Sequence, residues 1–204
     1  MTSEAKPEIV EAKEEAKSPT VYQTPEIIAE MDMANSLWNL MKKLVDTEWG
    51  TPFGGGPGKP AGALAQAAPK MFAAAMQGRA LDVDVMSSLR EIRVIRGTPF
   101  LSAELRAGLA YRAGHTIDIE AYPDKAVATG RRGDNGRELV VSYSLEEAVE
   151  EGMVDLDDEG KPRKRSKEGE PMPWERFTAS MLLAGATRRL CDRLFPDVMI
   201  GRAL

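Results

Sequence analysis

The chain has 204 residues, a formal net charge of -5, and 43% hydrophobic and 29% charged residues. That length holds one domain with room for an extension, and the charge balance excludes a global pull toward nucleic acid or anionic membrane while leaving room for a local basic groove. One cysteine, Cys191, and one histidine, His115, exclude an intramolecular disulfide and a Cys/His zinc site.

Residues 1–22 mix Glu, Lys, Ala and Pro with little to bury, and read as a disordered arm. They have no apolar core of the signal-peptide kind, and no stretch of the chain reaches the length of a membrane span. A helical segment follows over 23–50. Thr24 is placed to cap it and Pro25 to occupy its first turn. Its apolar residues, among them Leu37, Trp38, Met41 and Leu44, exceed what a loose arm needs and mark a candidate subunit contact. Residues 51–62, "TPFGGGPGKPAG", read as a Gly/Pro linker. The Lys-Ser/Thr ending of a phosphate loop is missing, so a nucleotide-binding loop is excluded.

The remaining residues, 63–204, read as one core. "ALAQAAPKMFAAAMQG" favours helix, with Pro69 expected to break it and Gly78 to stop it. "DVDVMSSLREIRVIRG" reads as a helical turn from about Asp82, running into a strand from about Ser88 to Arg96. "TPFLSAELRAGLAYRAG" is a helix, with Ser102 as cap, Gly114 as stop and a Leu101, Leu105, Leu109 stripe. "HTIDIEAY" alternates as a strand, and "KAVATGRRGDNGRELVVSY" gives two more around an Asp134-Asn135-Gly136 turn. Ser144 and Glu147 form a capping box for a short helix. Residues 155–172 are a flexible charged loop. Trp174 opens the last long helix, whose apolar residues Phe177, Met181 and Leu194 are expected to hold it on the sheet. This order predicts an α+β fold, a small antiparallel sheet packed against helices with a long C-terminal helix.

Catalytic patterns are weak. Serine-type chemistry would rest wholly on His115, placed as a capping or surface residue. Acidic residues permit a magnesium site, but no pattern supports one. Basic residues are better organised. Arg93 and Arg96 lie on one strand, Arg106 and Arg112 on the next helix, Arg131 and Arg132 in a glycine-flanked turn, and Arg188, Arg189 and Arg193 near the end. The guanidinium fork suits phosphate oxygens. Arg189 and Arg193 share a helical face, with Arg188 about 100° away. The alternative for each arginine is an ion pair, with Glu91, Glu138, Asp192 or Asp197 as candidate partners.

From about Met71 to Gly201 the sequence resembles the RecT/Redβ-like phage single-strand annealing proteins, especially those of actinobacterial phages and prophages. The resemblance rests on "LREIRVIRGTPFLSAELRAGLAYRAGHTIDIE", "TGRRGDNGRELVVSYSLEEAVEEGM" and "PWERFTASMLLAGATRRLCDRLFPDVMIG". The family pattern is met at Gly97, Pro99, Leu101, Ser102, Ala103, Arg112, Ala113, Gly114 and His115. It is met again at Trp174, Phe177, Met181, Arg188, Arg189, Phe195, Pro196, Asp197, Val198 and Gly201. The chain departs from it at Leu183, Ala184 and Gly185, where many relatives carry a basic residue.

The resemblance implies ATP-independent binding of single-stranded DNA and annealing of complementary strands in phage recombination, by a non-catalytic protein that requires no cofactor. It implies self-association into a ring or filament, an annealed duplex intermediate, a 5′–3′ exonuclease partner and a place in the cytoplasm of a phage-bearing bacterial host. Relatives often continue into a tail that recruits the host single-strand binding protein. With Leu204 as the last residue, that partnership is left open. The rival reading is a phage structural or assembly protein that oligomerises without nucleic acid.

Overall fold

A computed structural model describes residues 24–166 and 169–200. The expected arm over 1–22, Gly201 and Leu204 lie outside the described residues. Helix α1 (Pro25–Leu44) is followed by a 3-10 helix (Glu48–Phe53), α2 (Ala61–Ala80) and α3 (Val85–Glu91). Strands β1 (Ile92–Ile95) and β2 (Thr98–Leu101) form an antiparallel hairpin. Helix α4 (Ala103–Arg112) leads to an antiparallel meander of β3 (Thr116–Ala121), β4 (Lys125–Arg131) and β5 (Glu138–Ser144). Then come α5 (Leu145–Glu150), the short pair β6 (Asp155–Leu156) and β7 (Pro162–Arg163), α6 (Pro173–Arg176), α7 (Thr178–Leu194) and α8 (Pro196–Ile200). The fold is α+β, with small antiparallel sheets against helices and a long C-terminal helix. Two compact units divide at Ser36/Leu37. In the first, Ile27, Ile28 and Met31 are exposed.

The second unit holds two apolar clusters. Leu182, Ala186, Leu190 and Leu194 of α7 pack on Ala126, Ala128, Val141 and Tyr143 of the meander. The spacing of those four α7 residues puts them on one face. The other cluster joins Met41, Val45 and Phe53 to Ala67, Met71 and Ala75 of α2, and to Leu89 and Ile92. Helix α4 serves both, with Leu105 against the second cluster and Ala107 and Ala110 in the first. Its cap is the expected one, as the Ser102 hydroxyl accepts from the Leu105 amide at 3.0 Å. The capping box at Ser144 and Glu147 is also formed.

Several local expectations give way to packing. The stretch read as a linker begins within a 3-10 turn, and Phe53 is buried. The Gly56 amide donates to the Val45 carbonyl at 2.8 Å, and a side chain on Gly50 would meet that same oxygen at 2.0 Å. The glycines are there for close approach to the end of α1. Helix α2 runs on through Pro69, because Ala67, Ala68 and Met71 bury that stretch and outweigh one lost hydrogen bond. The strand expected from Ser88 begins only at Ile92, so Arg90 is helical, and "TPFL" is strand rather than the start of a helix. The charged loop contains the β6–β7 pair. Phe177 does not hold α7 down. It sits 59% exposed at the α6–α7 junction, while Met181 is half-buried and Leu194 buried.

Candidate nucleic-acid interface

The hairpin is built on a two-residue turn, with Ile95 paired to Thr98. Arg96 and Gly97 between them have φ of 50° and 83°. Positive φ at both central residues is the type I′ turn, whose twist matches the strands it joins. The conformation is natural for Gly97 and unfavourable for Arg96. The turn thus sets an exposed guanidinium at the hairpin tip. Alternation then sorts the strands. Ile92 is buried and Val94 half-buried, whereas Arg93, Ile95 and Phe100 are exposed. Arg93 and Phe100 are cross-strand partners, so one open face carries a cation, an aromatic ring and an aliphatic side chain. Arg93 donates to the Leu89 carbonyl at 3.1 Å and lies 5.9 Å from the Phe53 ring centre.

The base of this hairpin meets α7. Leu101, Ser102 and Ala103 form one side of a groove, and Met181, Ala184, Gly185 and Arg188 form the other. Arg188 lies one turn before Asp192, which receives the Arg106 guanidinium from α4, so Arg188 is on the α4 side of α7. Arg188 and Arg193 are both exposed. Among the described residues, Arg93, Arg96, Arg188 and Arg193 form no ion pair.

The other expected phosphate contacts are engaged within the fold. Arg106 pairs with Asp192, and its side chain is 11% exposed. Arg132 binds Asp134 and Asp197, each at 2.7 Å, and donates to the Leu194 carbonyl at 2.9 Å. The hydrogen bond from Arg132 to Asp197 holds the Asp197 carboxyl down at about 2. Arg189 binds Glu147 and Glu151, donates to the Ser142 carbonyl and stacks over Tyr143. The Arg189 contact lowers Glu147, and the Tyr143 hydroxyl lowers Glu151. Burial pushes the Tyr143 hydroxyl up to about 12. Arg112 donates to the Leu81 and Asp82 carbonyls and so closes the end of α2. Arg131 makes a 3.6 Å surface pair with Glu138, a geometry of little energetic weight.

His115 is buried rather than on the surface. It stacks on Phe195 at 4.7 Å, and its Nδ1 accepts from the Gly133 amide at 3.2 Å. Of the expected subunit contacts, Met41 is fully buried, Trp38 packs edge-on against Phe72 at 5.7 Å, and Leu44 packs against the α2 cluster. Leu37 is half-buried. Ile95 and Phe100 were not singled out from sequence. The Arg-Gly pair between two short alternating runs was the available signal. Among the described residues, no group of three or more His, Cys, Asp or Glu side chains is placed to hold a metal ion, and no helix is long and apolar enough to cross a membrane. No protein-family model matches the chain, and no curated protein matches it.

Proposed function

We propose that the chain binds single-stranded DNA along the open face of the β1–β2 hairpin and the groove at its base, and that it anneals complementary strands without a nucleotide cofactor. The observation that carries this reading is the hairpin itself. Arg93 and Arg96 form no ion pair among the described residues, Arg93 lies across from exposed Phe100, and Arg96 is held at the tip in a backbone conformation unfavourable for it. A strained residue at an exposed tip is a reason to look for function there. Guanidinium groups neutralise phosphates, and an aromatic ring offers a sequence-tolerant stacking surface. Arg188 extends the cationic track into the groove, with Arg193 further along α7. Base pairing then supplies specificity, and the protein lowers the repulsion between two approaching strands. This is the activity of the annealing proteins that the sequence resembles, and it would operate in the cytoplasm of a phage-bearing host, in an assembly of several copies and beside a 5′–3′ exonuclease.

The test is annealing of two complementary labelled oligonucleotides, followed by energy transfer without ATP across a salt series. The expected result is acceleration that fades with salt, and a weaker salt dependence in Arg93→Gln and Arg188→Gln. Each lost phosphate contact should reduce the logarithmic salt slope by roughly 0.7. Absence of both acceleration and strand retardation at low salt would reject the reading. A second reading, an assembly protein that works without nucleic acid, draws on exposed Ile27, Ile28 and Met31 of α1. It predicts self-association with no response to oligonucleotides.

A further inference from the structure

Helix α1 uses only part of its apolar stripe within the fold. Ile27, Met31, Ala34, Trp38 and Met41 recur at alternating spacings of four and three, which puts them on one face. The end of the stripe is covered, since Met41 is fully buried and Trp38 packs on Phe72. The start is bare. Ile27, Ile28 and Met31 are 42%, 44% and 50% exposed. The charge beside them has one sign. Residues 24–41 carry Glu26, Glu30 and Asp32 and no lysine or arginine. Glu26 and Glu30 share a strip of surface with Ile27 and Met31. An apolar strip edged by carboxylates alone fits a partner that is both apolar and cationic.

Among the described residues, the open face of the β1–β2 hairpin meets both conditions. Ile95 and Phe100 are 55% and 41% exposed there, beside Arg93 and Arg96. The basic stretch around β7 is already answered by acids, Lys164 by Asp155 and Arg165 by Glu175. Residues 1–22 hold five glutamates and three lysines, so they add acid rather than the missing cation.

We infer that the first half of α1 docks on the hairpin face of a second copy of the chain. Ile27, Ile28 and Met31 lie against Ile95 and Phe100, and the α1 carboxylates answer Arg93 and Arg96. The two patches differ, so the contact is head-to-tail and leaves one patch of each kind for a further copy. Its regulatory consequence rests on the single-strand reading above. The hairpin face that receives α1 is the face that receives the strand, with carboxylates standing where phosphates would. Helix α1 and single-stranded DNA therefore exclude each other, and the contact belongs to the protein before it meets DNA.

The test is sedimentation velocity of the full chain at low salt over a concentration series, paired with anisotropy titrations of labelled oligothymidylate. Wild type should associate as concentration rises, and added salt or saturating oligothymidylate should return it to monomer. Ile27→Ser with Met31→Ser on α1, and Phe100→Ser on the hairpin, should each weaken association roughly tenfold with the far-UV spectrum unchanged. The α1 variant should also bind oligothymidylate more tightly than wild type wherever wild type is associated, and equally where wild type is monomeric. Wild type that stays monomeric throughout would overturn the inference. So would association that Phe100→Ser leaves intact, or association that persists in wild type saturated with oligothymidylate. Each of these leaves the single-strand reading in place. A gain in affinity that persists at dilutions where wild type is monomeric would place α1 on the hairpin of its own chain, against a second copy. Association lost in both variants, with no binding of oligothymidylate by wild type, would keep the contact and sink the single-strand reading.

Discussion

Where α7 lies against β5, the Arg189 side chain is 20% exposed, bound by two carboxylates and stacked on an aromatic ring. At the turn of the β1–β2 hairpin, Arg96 is exposed, holds a left-handed backbone and forms no ion pair among the described residues. Arg106 and Arg132 belong with the first. Arg93, Arg188 and Arg193 belong with the second. What separates the two groups is the surroundings. An arginine beside a packed sheet must have its charge answered, because a half-buried guanidinium without partners is costly. An arginine on a two-stranded hairpin is solvated and can wait for an anion. The clamp arginines should therefore govern stability, and the hairpin arginines should govern binding.

The strongest challenge to that division is Arg189→Glu. It removes both ion pairs and the ring contact, and sets a third carboxylate beside Glu147 and Glu151. A loss of about 3 kcal/mol is expected, read as a lower midpoint in urea with an unchanged slope. A variant as stable as wild type would show that the clamp has no structural role. Arg93→Glu is the control in the other region. It should cost about 1 kcal/mol, from the lost Leu89 carbonyl bond and Phe53 ring contact, while losing single-strand affinity.

Gly185→Ala probes the same layer without touching charge. The added methyl must displace the Tyr143 ring, and with it the surface on which Arg189 rests. Overpacking should exceed the gain in helix propensity, for a net loss of about 1–2 kcal/mol. Thermal melts will read it, and the reduced midpoint should be only weakly additive with that of Arg189→Ala, because the two changes share Tyr143.

The sequence shows these two regions unequally. The meander, the capping box at Ser144 and the cap at Ser102 were readable, because alternation and short-range hydrogen bonding are local properties. The hairpin was half-hidden. Its strands have four residues each, too few for alternation to stand out, and one of them contains Pro99, a residue type disfavoured inside strands. The roles of the arginines were readable only in part: the candidate partners Glu91, Glu138, Asp192 and Asp197 do pair with Arg90, Arg131, Arg106 and Arg132, but which arginines would be left for a ligand was hidden. Arg189 lies 42 residues from Glu147, and Arg132 lies 65 from Asp197. Only the folded register brings those partners together. The same holds for Trp38, Met41 and Leu44, which satisfy a helical apolar face but face α2 and its neighbours.

A pH titration sharpens the clamp side further. The Asp197 carboxyl is held at about 2 against an ordinary 3.8, chiefly by the hydrogen bond from Arg132, which also lowers Asp134. A carboxyl lowered by folding adds stability that is complete above its unfolded value and is lost as pH falls through its folded value. The thermal midpoint should therefore decline from about pH 4 toward pH 2. Asp197→Asn should lower the midpoint at neutral pH and flatten part of that decline. A decline as steep as that of wild type would place the acid sensitivity elsewhere, with Glu147 and Glu151 the next carboxylates to change.

The smallest effect separates the two groups most cleanly, because its two readouts should move in opposite directions. Arg96→Asn converts the hairpin turn to Asn-Gly, the pair best suited to positive φ at both central residues. Asparagine accepts the left-handed conformation that arginine resists, so the variant should be more stable by about 0.5–1 kcal/mol. It also removes the cation at the tip, so affinity for single-stranded DNA should fall and the salt slope should flatten by roughly 0.7. A gain in stability with affinity intact would mean that Arg96 is a suboptimal turn residue and nothing more. A loss of both would mean that the Arg96 side chain supports the hairpin, and the line drawn between clamp and hairpin arginines would have to move. Stability rising while binding falls is the result expected of a residue whose strain serves a ligand.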